Sequence, residues 1–282
     1  MQKPASPIRF WYDVKSVSGS HAEVTVGVAG LSLALLLMLP WFTNNNSTEY
    51  FSRPKIAISI LLFFASLTFG ILASFIYSVL SGDARSEEIR AIGFLSPSVA
   101  FGISVPILFL GFTYVIDAHI NSISQMEITF ITKIMRGFAL FSLWASSIFV
   151  SRTILDVRRF VKMGDKWKDS VWFKGKMMIL FILLYTTMSI LSIIDIWKPA
   201  GAINTCVKAY FYYLIVVIII TALYYAVVSY IGIRKEGCNK VEYIQQPKEN
   251  CSGWTPNLVS KLCYMLLCCF TVFSIWTFIC FT

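Results

Sequence analysis

The chain has 282 residues, of which 57% are hydrophobic and only 14% are charged, and its formal net charge is +9. An ordinary soluble domain is about one quarter charged, so this composition excludes water as the main solvent of the protein. The mean hydropathy of +0.70 indicates instead a chain that lies largely in a membrane.

Seven apolar runs are long enough to cross a bilayer. A hydrocarbon core of about 30 Å takes about 20 apolar residues per helical crossing. Lipid satisfies no backbone hydrogen bond, and barrel strands would alternate polar and apolar residues, so these continuous runs are predicted to be helices. The predicted fold class is all-α, a single membrane domain of seven transmembrane helices. The runs cover residues 24–42, 56–80, 97–116, 134–150, 177–196, 209–233 and 262–281.

The first run has an alternative interpretation as a cleaved signal peptide, which would leave six spans. Its length exceeds that of a signal-peptide core, 23 residues precede it, and no small residues at cleavage spacing follow Pro40 and Trp41. These features favour a true span. We therefore expect seven spans.

Basic residues in short loops mark the cytoplasmic side of a membrane protein. With seven spans, 18 of the 24 basic residues fall on one side, which includes the basic loop 152–176 and the loop 234–261. The pattern predicts a cytoplasmic N-terminus and an outside C-terminus, the opposite of G-protein-coupled receptors. The positive charge is thus a topology signal, and no nucleic-acid partner is expected. On base rates the membrane is the plasma membrane or the bacterial inner membrane.

The basic loop 152–176 places Phe160, Met163, Trp167 and Val171 at helical spacing. This pattern favours an amphipathic helix in the headgroup layer that docks anionic lipids or a partner. The alternative is an ordinary cytoplasmic loop with interfacial aromatic residues. The docking residues predicted here are Arg158, Arg159, Lys162, Lys166 and Lys168. The loop 234–261, with Gly237, Cys238, Asn239 and several prolines, is predicted to be irregular.

Small residues at every fourth position mark helix contacts in lipid. The second run carries Ser66, Gly70, Ser74 and Ser78, and the third carries Ser98, Gly102 and Pro106. We therefore expect these two spans to be central. Pro106 removes a backbone donor in mid-span, which either kinks the helix or marks a substrate site, as in transporters with broken helices. The candidate pathway or helix-packing residues are Ser66, Gly70, Ser74, Gly102 and Pro106.

Ionisable residues avoid the middle of every run and gather near the predicted outer rim. They are Asp117, His119, Lys133, Arg136 and Asp195. Asp117 or Asp195 is positioned to pair with Lys133 or Arg136 across neighbouring helices. These residues are either helix-end charges that reach the headgroups or an outer vestibule that binds a charged ligand.

No motif for catalysis is present. The two histidines, His21 and His119, are predicted on opposite sides, which excludes the metalloprotease motif, and no serine-nucleophile elbow or phosphate loop occurs. The seven cysteines lack the spacing of a zinc site, and those in the seventh run behave as small apolar residues. We predict no enzyme activity, metal or cofactor.

Two hypotheses about function remain, with a lipid-modifying enzyme as a third. The leading hypothesis is a transport or channel-type protein that moves ions or small or lipid-like solutes. Its pore would require a homo-oligomer, because no span has a strong polar face. The alternative is a non-transporting scaffold, sensor or assembly factor that acts through the cytoplasmic basic loop.

Overall fold

The computed structural model describes residues 14–43, 53–82, 87–118, 125–160, 203–242, 265–266 and 268–277, and all of them are helical. The helices are α1 (Val14–Thr43), α2 (Arg53–Gly82), α3 (Glu87–Ala118), α4 (Gln125–Phe160), α5 (Ile203–Glu242) and a short apolar helix, α6 (Cys268–Thr277). The predicted all-α class is confirmed for this part of the chain.

Five of these helices are long and apolar enough to cross a membrane. Their apolar parts are Val14–Leu39, Lys55–Gly82, Ile92–Ala118, Ile131–Val150 and Ala209–Tyr230. The predicted fifth span, 177–196, lies outside the described residues, and α6 covers only part of the predicted seventh span, 262–281. The total of seven therefore stays a prediction.

Four helices extend well beyond the apolar runs that predicted them. Helix α1 begins ten residues before its run, α3 begins ten residues before Pro97, and α4 and α5 extend past their runs at both ends. Once a helix exists, each added residue gains a hydrogen bond for one residue ordered. Charged side chains stop a lipid crossing but do not stop a helix.

The structure describes the first part of each of the two predicted cytoplasmic loops. Residues 152–160 of the basic loop continue α4 to Phe160, and the rest of that loop lies outside the described residues. Helix α5 continues to Glu242, so Gly237, Cys238 and Asn239 are helical, and the prediction of irregular chain is wrong for residues 234–242. A single glycine costs a helix only about 1 kcal/mol, which did not end an established helix of 40 residues.

Helix α3 is the axis of the bundle. About two thirds of the apolar part of α3 is buried inside the bundle, compared with 22% for the apolar parts of α1 and α4. Helix α3 also contacts α1, α2, α4 and α5. Large apolar side chains cover the outside instead, including Leu37, Phe64, Phe75, Phe141 and Leu223, each more than half exposed. Such a surface suits lipid and is uncommon on a soluble protein.

Side-chain contacts show which helix ends share a face. His21 of α1 packs against Tyr77 of α2, Phe94 of α3 and Phe149 of α4, while Tyr224 of α5 bonds to the start of α3. The starts of α1 and α3 and the ends of α2, α4 and α5 therefore lie together, and we call this side the basic face. The other side, where Asp117 ends α3, is called the Asp117 face.

Glycines let the helices approach closely. A Cβ added at Gly70 would lie 3.1 Å from Cβ of Ala29 in α1, and one at Gly102 would lie 3.2 Å from Cγ2 of Val150 in α4. At Gly111 the added atom would lie 2.5 Å from Cε1 of Phe63, closer than real Cβ contacts. Gly70 and Gly102 were predicted as small-residue positions, whereas Gly111 lies outside the stripes that the sequence suggested.

We predict that Gly111→Ala destabilises the bundle. Phe63 is fully buried against Leu39, Leu108 and the edge of Phe112, so its ring has little room to move aside. Overpacking should outweigh the better helix propensity of alanine and lower the free energy of unfolding by about 1 to 2 kcal/mol. The measurement is unfolding of the purified protein in micelles, followed by tryptophan fluorescence.

Gly27→Ala is the matched control, because nothing lies within 4 Å of a Cβ added at this lipid-facing position of α1. It should leave stability unchanged or raise it slightly. Equal effects of the two substitutions would contradict the packing described for Gly111.

Candidate functional site

Three serines from three helices form a hydrogen-bonded group in the bundle centre. Ser66 Oγ of α2 lies 3.0 Å from Ser32 Oγ of α1 and donates to the carbonyl of Ser104 in α3 at 2.9 Å. Ser104 Oγ donates back to the carbonyl of Ser66 at 2.8 Å. All three side chains are fully buried. This serine cluster therefore joins α1, α2 and α3 without leaving its hydroxyls unpaired.

Most other buried hydroxyls are satisfied within their own helix. Ser18, Thr25, Thr113 and Thr221 each donate to a carbonyl four residues earlier, as hydroxyls in helices often do. The described spans thus hold many polar atoms at little cost in lipid. A buried serine or threonine here is not by itself a sign of a solute path.

The residues proposed for a pathway or for helix packing lie at helix contacts. Ser66, Gly70, Gly102 and Pro106 are buried, and Ser74 is half-buried with its hydroxyl donating to the carbonyl of Ala22 in α1 at 3.4 Å. Helix α3 runs continuously through Pro97 and Pro106. Pro106 has no N–H to donate to the carbonyl of Gly102. A Cβ added at Gly102 would contact Val150, Ser146 and Phe270. This geometry favours the packing interpretation over a broken helix.

Charged groups from three helices meet at the Asp117 face. Arg136 Nη2 of α4 lies 3.4 Å from Asp117 Oδ2 of α3, and Thr132 Oγ1 donates to Asp117 Oδ1 at 2.8 Å. Lys55 Nζ at the start of α2 donates to the carbonyl oxygen of Asp117 at 3.3 Å. The predicted pairing of Asp117 with Arg136 is therefore present. We call Lys55, Asp117, Thr132 and Arg136 the rim cluster.

The remaining rim residues are only partly placed. Lys133 follows Thr132 on α4 and is half-buried, whereas His119 and Asp195 lie outside the described residues. Lys55 and Thr132 were missing from the predicted set. Lys55 was counted only as a basic residue on the minority side, and Thr132 carries no charge that would draw attention to it.

His21 occupies a site that no sequence pattern indicated. Its ring lies 5.4 Å from Phe149 in a stacked arrangement and 5.3 Å from Tyr77, measured between ring centroids. Nδ1 donates to the carbonyl of Val17 at 2.8 Å, which fixes the ring on α1. The hydroxyls of Tyr77 and Ser98 lie 3.1 Å apart beside it. This half-buried imidazole ties four helices together at the basic face.

Tyrosines of α5 attach this helix to its neighbours. Tyr224 donates to the carbonyl of Ile92 at 3.0 Å, and Tyr210 lies 2.9 Å from Thr277 Oγ1 in α6. Tyr213 donates to the carbonyl of Cys269. A deep tyrosine hydroxyl in a span needs a partner, and that of Tyr224 finds one on another helix. The terminal residue Tyr212 is exposed, as expected of an aromatic belt.

The basic face carries helical extensions rather than short turns. Helix α4 continues about 15 Å past Val150, and α5 continues about 18 Å past Tyr230, at 1.5 Å per residue. The extension of α4 holds Arg158 and Arg159 of the predicted docking set, while Lys162, Lys166 and Lys168 lie outside the described residues. The extension of α5 holds Arg234, Lys235 and Lys240.

Metal chemistry finds no support in the part of the chain that is described. Within those residues, no three side chains of His, Cys, Asp or Glu come together as a metal would require. Cys268 and Cys269 of α6 are free thiols, the first exposed and the second half-buried.

Comparison with known proteins gives no further guide to the site. No protein-family model matches the chain, and neither a curated protein nor a solved structure matches it.

We predict that Tyr224→Phe weakens the attachment of α5 to α3. The substitution keeps the buried ring and removes only the hydroxyl that bonds to the carbonyl of Ile92. Interhelical hydrogen bonds in membrane proteins contribute about 0.6 kcal/mol on average and up to about 1.7, so a loss in this range is expected in micelle unfolding.

Tyr230→Phe is the control for this prediction, because the Tyr230 side chain lies on the same helix and is 66% exposed. Its stability should match the wild type. A Tyr224→Phe protein as stable as Tyr230→Phe would show that this hydrogen bond does not help to hold α5.

Proposed function

We propose that the chain is a seven-span membrane protein that works without transporting a solute, as a scaffold, sensor or assembly factor that docks through its basic face. In this proposal the basic face is cytoplasmic, the C-terminus is outside, and the membrane is a plasma or bacterial inner membrane. The proposal adopts the alternative of the two hypotheses that the sequence left open, and it includes no enzyme activity.

The observation that carries the proposal is the close packing where a path was expected. Ser66 and Ser104 bond to each other's backbone, and Gly70 lies against Ala29. A water-lined path would need polar groups that remain available to solute or water. The hydroxyls of the serine cluster are already engaged with neighbouring helices.

The helical extensions supply the second argument. The ends of α4 and α5 share the basic face and carry six basic residues: Arg152, Arg158, Arg159, Arg234, Lys235 and Lys240. These helical extensions continue past the apolar spans and place the basic positions on the side proposed to be cytoplasmic. Each Lys or Arg near an anionic surface contributes about 1 kcal/mol of attraction. We therefore expect anionic headgroups at the cytoplasmic face as the first ligand.

Transport remains the second candidate, favoured by one observation. Buried hydroxyls occur along α3 from Ser96 through Ser98 and Ser104 to Thr113, and the charged rim cluster follows at the end of this helix. If the helices separate during a transport cycle, these hydroxyls could line a path for ions or small neutral solutes. Such a path would use Ser66, Gly70 or Pro106 and would form in a homo-oligomer.

The test combines lipid binding with flux. We predict that the protein extracted with surrounding lipid is enriched in anionic lipid over the bulk membrane, and that Arg158→Gln, Arg159→Gln and Lys162→Gln together lower this enrichment. Arg53→Gln, Lys198→Gln and Lys208→Gln remove the same charge from the predicted opposite side and form the control. The control should retain most of the enrichment.

Flux into liposomes decides between the two candidates. Ion and fluorescent-solute flux through the reconstituted wild type should equal that of empty liposomes. Flux above this level that falls when Ser66, Gly70 or Pro106 is changed would overturn the proposal and establish a transport path. If the triple variant of the basic loop shows the same lipid enrichment as the wild type, the proposed docking by that loop is wrong.

A further inference from the structure

The rim cluster has more positive charge than its carboxylate balances. Asp117 is the acidic member, whereas Lys55 and Arg136 are both basic, and half-buried Lys133 lies next to Thr132 on α4. Asp117 accepts from Thr132 and Arg136 through its carboxylate and from Lys55 through its carbonyl. The carboxylate thus orients Arg136, the backbone carbonyl of Asp117 holds Lys55, and one negative charge stands beside two positive charges.

The two cations also keep donors available. The guanidinium has five N–H donors and the ammonium has three. Among the described residues, Arg136 makes one hydrogen bond, at 3.4 Å to Asp117 Oδ2, and Lys55 makes one, at 3.3 Å. The Arg136 and Asp117 side chains are 23% and 17% exposed, so the pair is sheltered but reachable from the surface. A fork of donors around one fixed carboxylate suits a tetrahedral oxyanion.

The distance of the rim cluster from the bundle centre indicates which oxyanion is close to it in a membrane. Lys55 is eleven residues from Ser66 and Asp117 is thirteen from Ser104, which places them about 16 and 20 Å along their helices from the serine cluster. The serine cluster lies near the middle of the apolar parts of α2 and α3. Since the hydrocarbon half-thickness is about 15 Å and the headgroups extend to about 20 to 22 Å, the cluster lies at the level of lipid phosphates.

We propose that Lys55 and Arg136, held by Asp117 and Thr132, bind the phosphate of an anionic phospholipid at the Asp117 face. The phosphate oxygens accept hydrogen bonds from the ammonium and the guanidinium, while the acyl chains lie along the apolar surface of the neighbouring helices. This site is independent of the docking proposed for the basic face, which lies on the other side of the bundle.

The test is native mass spectrometry of the full chain with bound lipid. The protein carries Arg158→Gln, Arg159→Gln and Lys162→Gln as its background, so that the basic loop contributes less to lipid binding. Phosphatidylglycerol and phosphatidylcholine of equal chain length are the probes. We expect the background protein to retain phosphatidylglycerol in preference to phosphatidylcholine. Added Lys55→Gln or Arg136→Gln should weaken its binding about tenfold, as expected for loss of one charged hydrogen bond.

Lys208→Gln, on α5, is the matched control and should leave retention unchanged. Arg136→Lys keeps the charge but loses the fork, so it should bind more weakly than Arg136 and more strongly than Arg136→Gln. Circular dichroism identifies any variant that fails to fold. If both glutamine variants unfold, the preference of the background protein and the Arg136→Lys result still decide the test.

Three outcomes would overturn the proposal. The first is equal retention of the two lipids by the background protein. The second is phosphatidylglycerol binding as tight as in the background protein when folded Lys55→Gln and Arg136→Gln variants are measured. The third is displacement of the lipid by millimolar inorganic phosphate together with thermal stabilisation by phosphate alone, which would assign the cluster to a soluble phosphate.

Discussion

Every polar atom in a lipid-embedded bundle must find its partner inside the protein, and the serine cluster shows how this chain meets that constraint. Ser66 and Ser104 exchange hydrogen bonds with each other's carbonyls, and Ser32 adds a third helix. Such bonds require the backbones of α2 and α3 to lie close together. Gly111 against Phe63 allows that approach, and Gly70 against Ala29 brings α1 close to α2.

The position of α3 follows from these contacts. Small residues on several sides let α3 contact α1, α2, α4 and α5. The hydroxyl of Ser96 donates to the carbonyl of Thr221 in α5, and the carbonyl of Ile92 accepts from Tyr224. A central helix with satisfied polar groups fixes the relative heights of the others. The aromatic site of His21 at one end and the rim cluster at the other end then form between helix ends that are already aligned.

The sequence predicted the helices but not all of their ends. A long run of uncharged residues identifies the part of a helix that can lie in the hydrocarbon core. The run 56–80 therefore closely matches the apolar part of α2. Helix α1 begins at Val14 rather than at residue 24 because Lys15, His21 and Glu23 are unsuited to lipid but acceptable in a helix. The same reason explains the extensions of α4 and α5.

The partners within the bundle were harder to predict. The stripe of Ser98, Gly102 and Pro106 indicated a contact face on α3, yet the serine that bonds to Ser66 is Ser104, which lies off that stripe. Its selection depends on the relative height and rotation of α2 and α3, which one sequence pattern does not determine. Asp117 and Arg136 were easier to pair, because opposite charges near adjacent helix ends have few alternatives.

The central claim is that the bundle centre is a packed contact between helices. The most direct measurement is the reaction of Ser66→Cys in liposomes with a membrane-impermeant thiol reagent, located by peptide mass spectrometry to separate it from the native cysteines. Ser16→Cys, exposed at the start of α1, is the positive control. The packed account predicts that Cys at position 66 reacts only after unfolding. Labelling of the folded protein at a rate comparable to position 16 would contradict it and indicate a water-filled path.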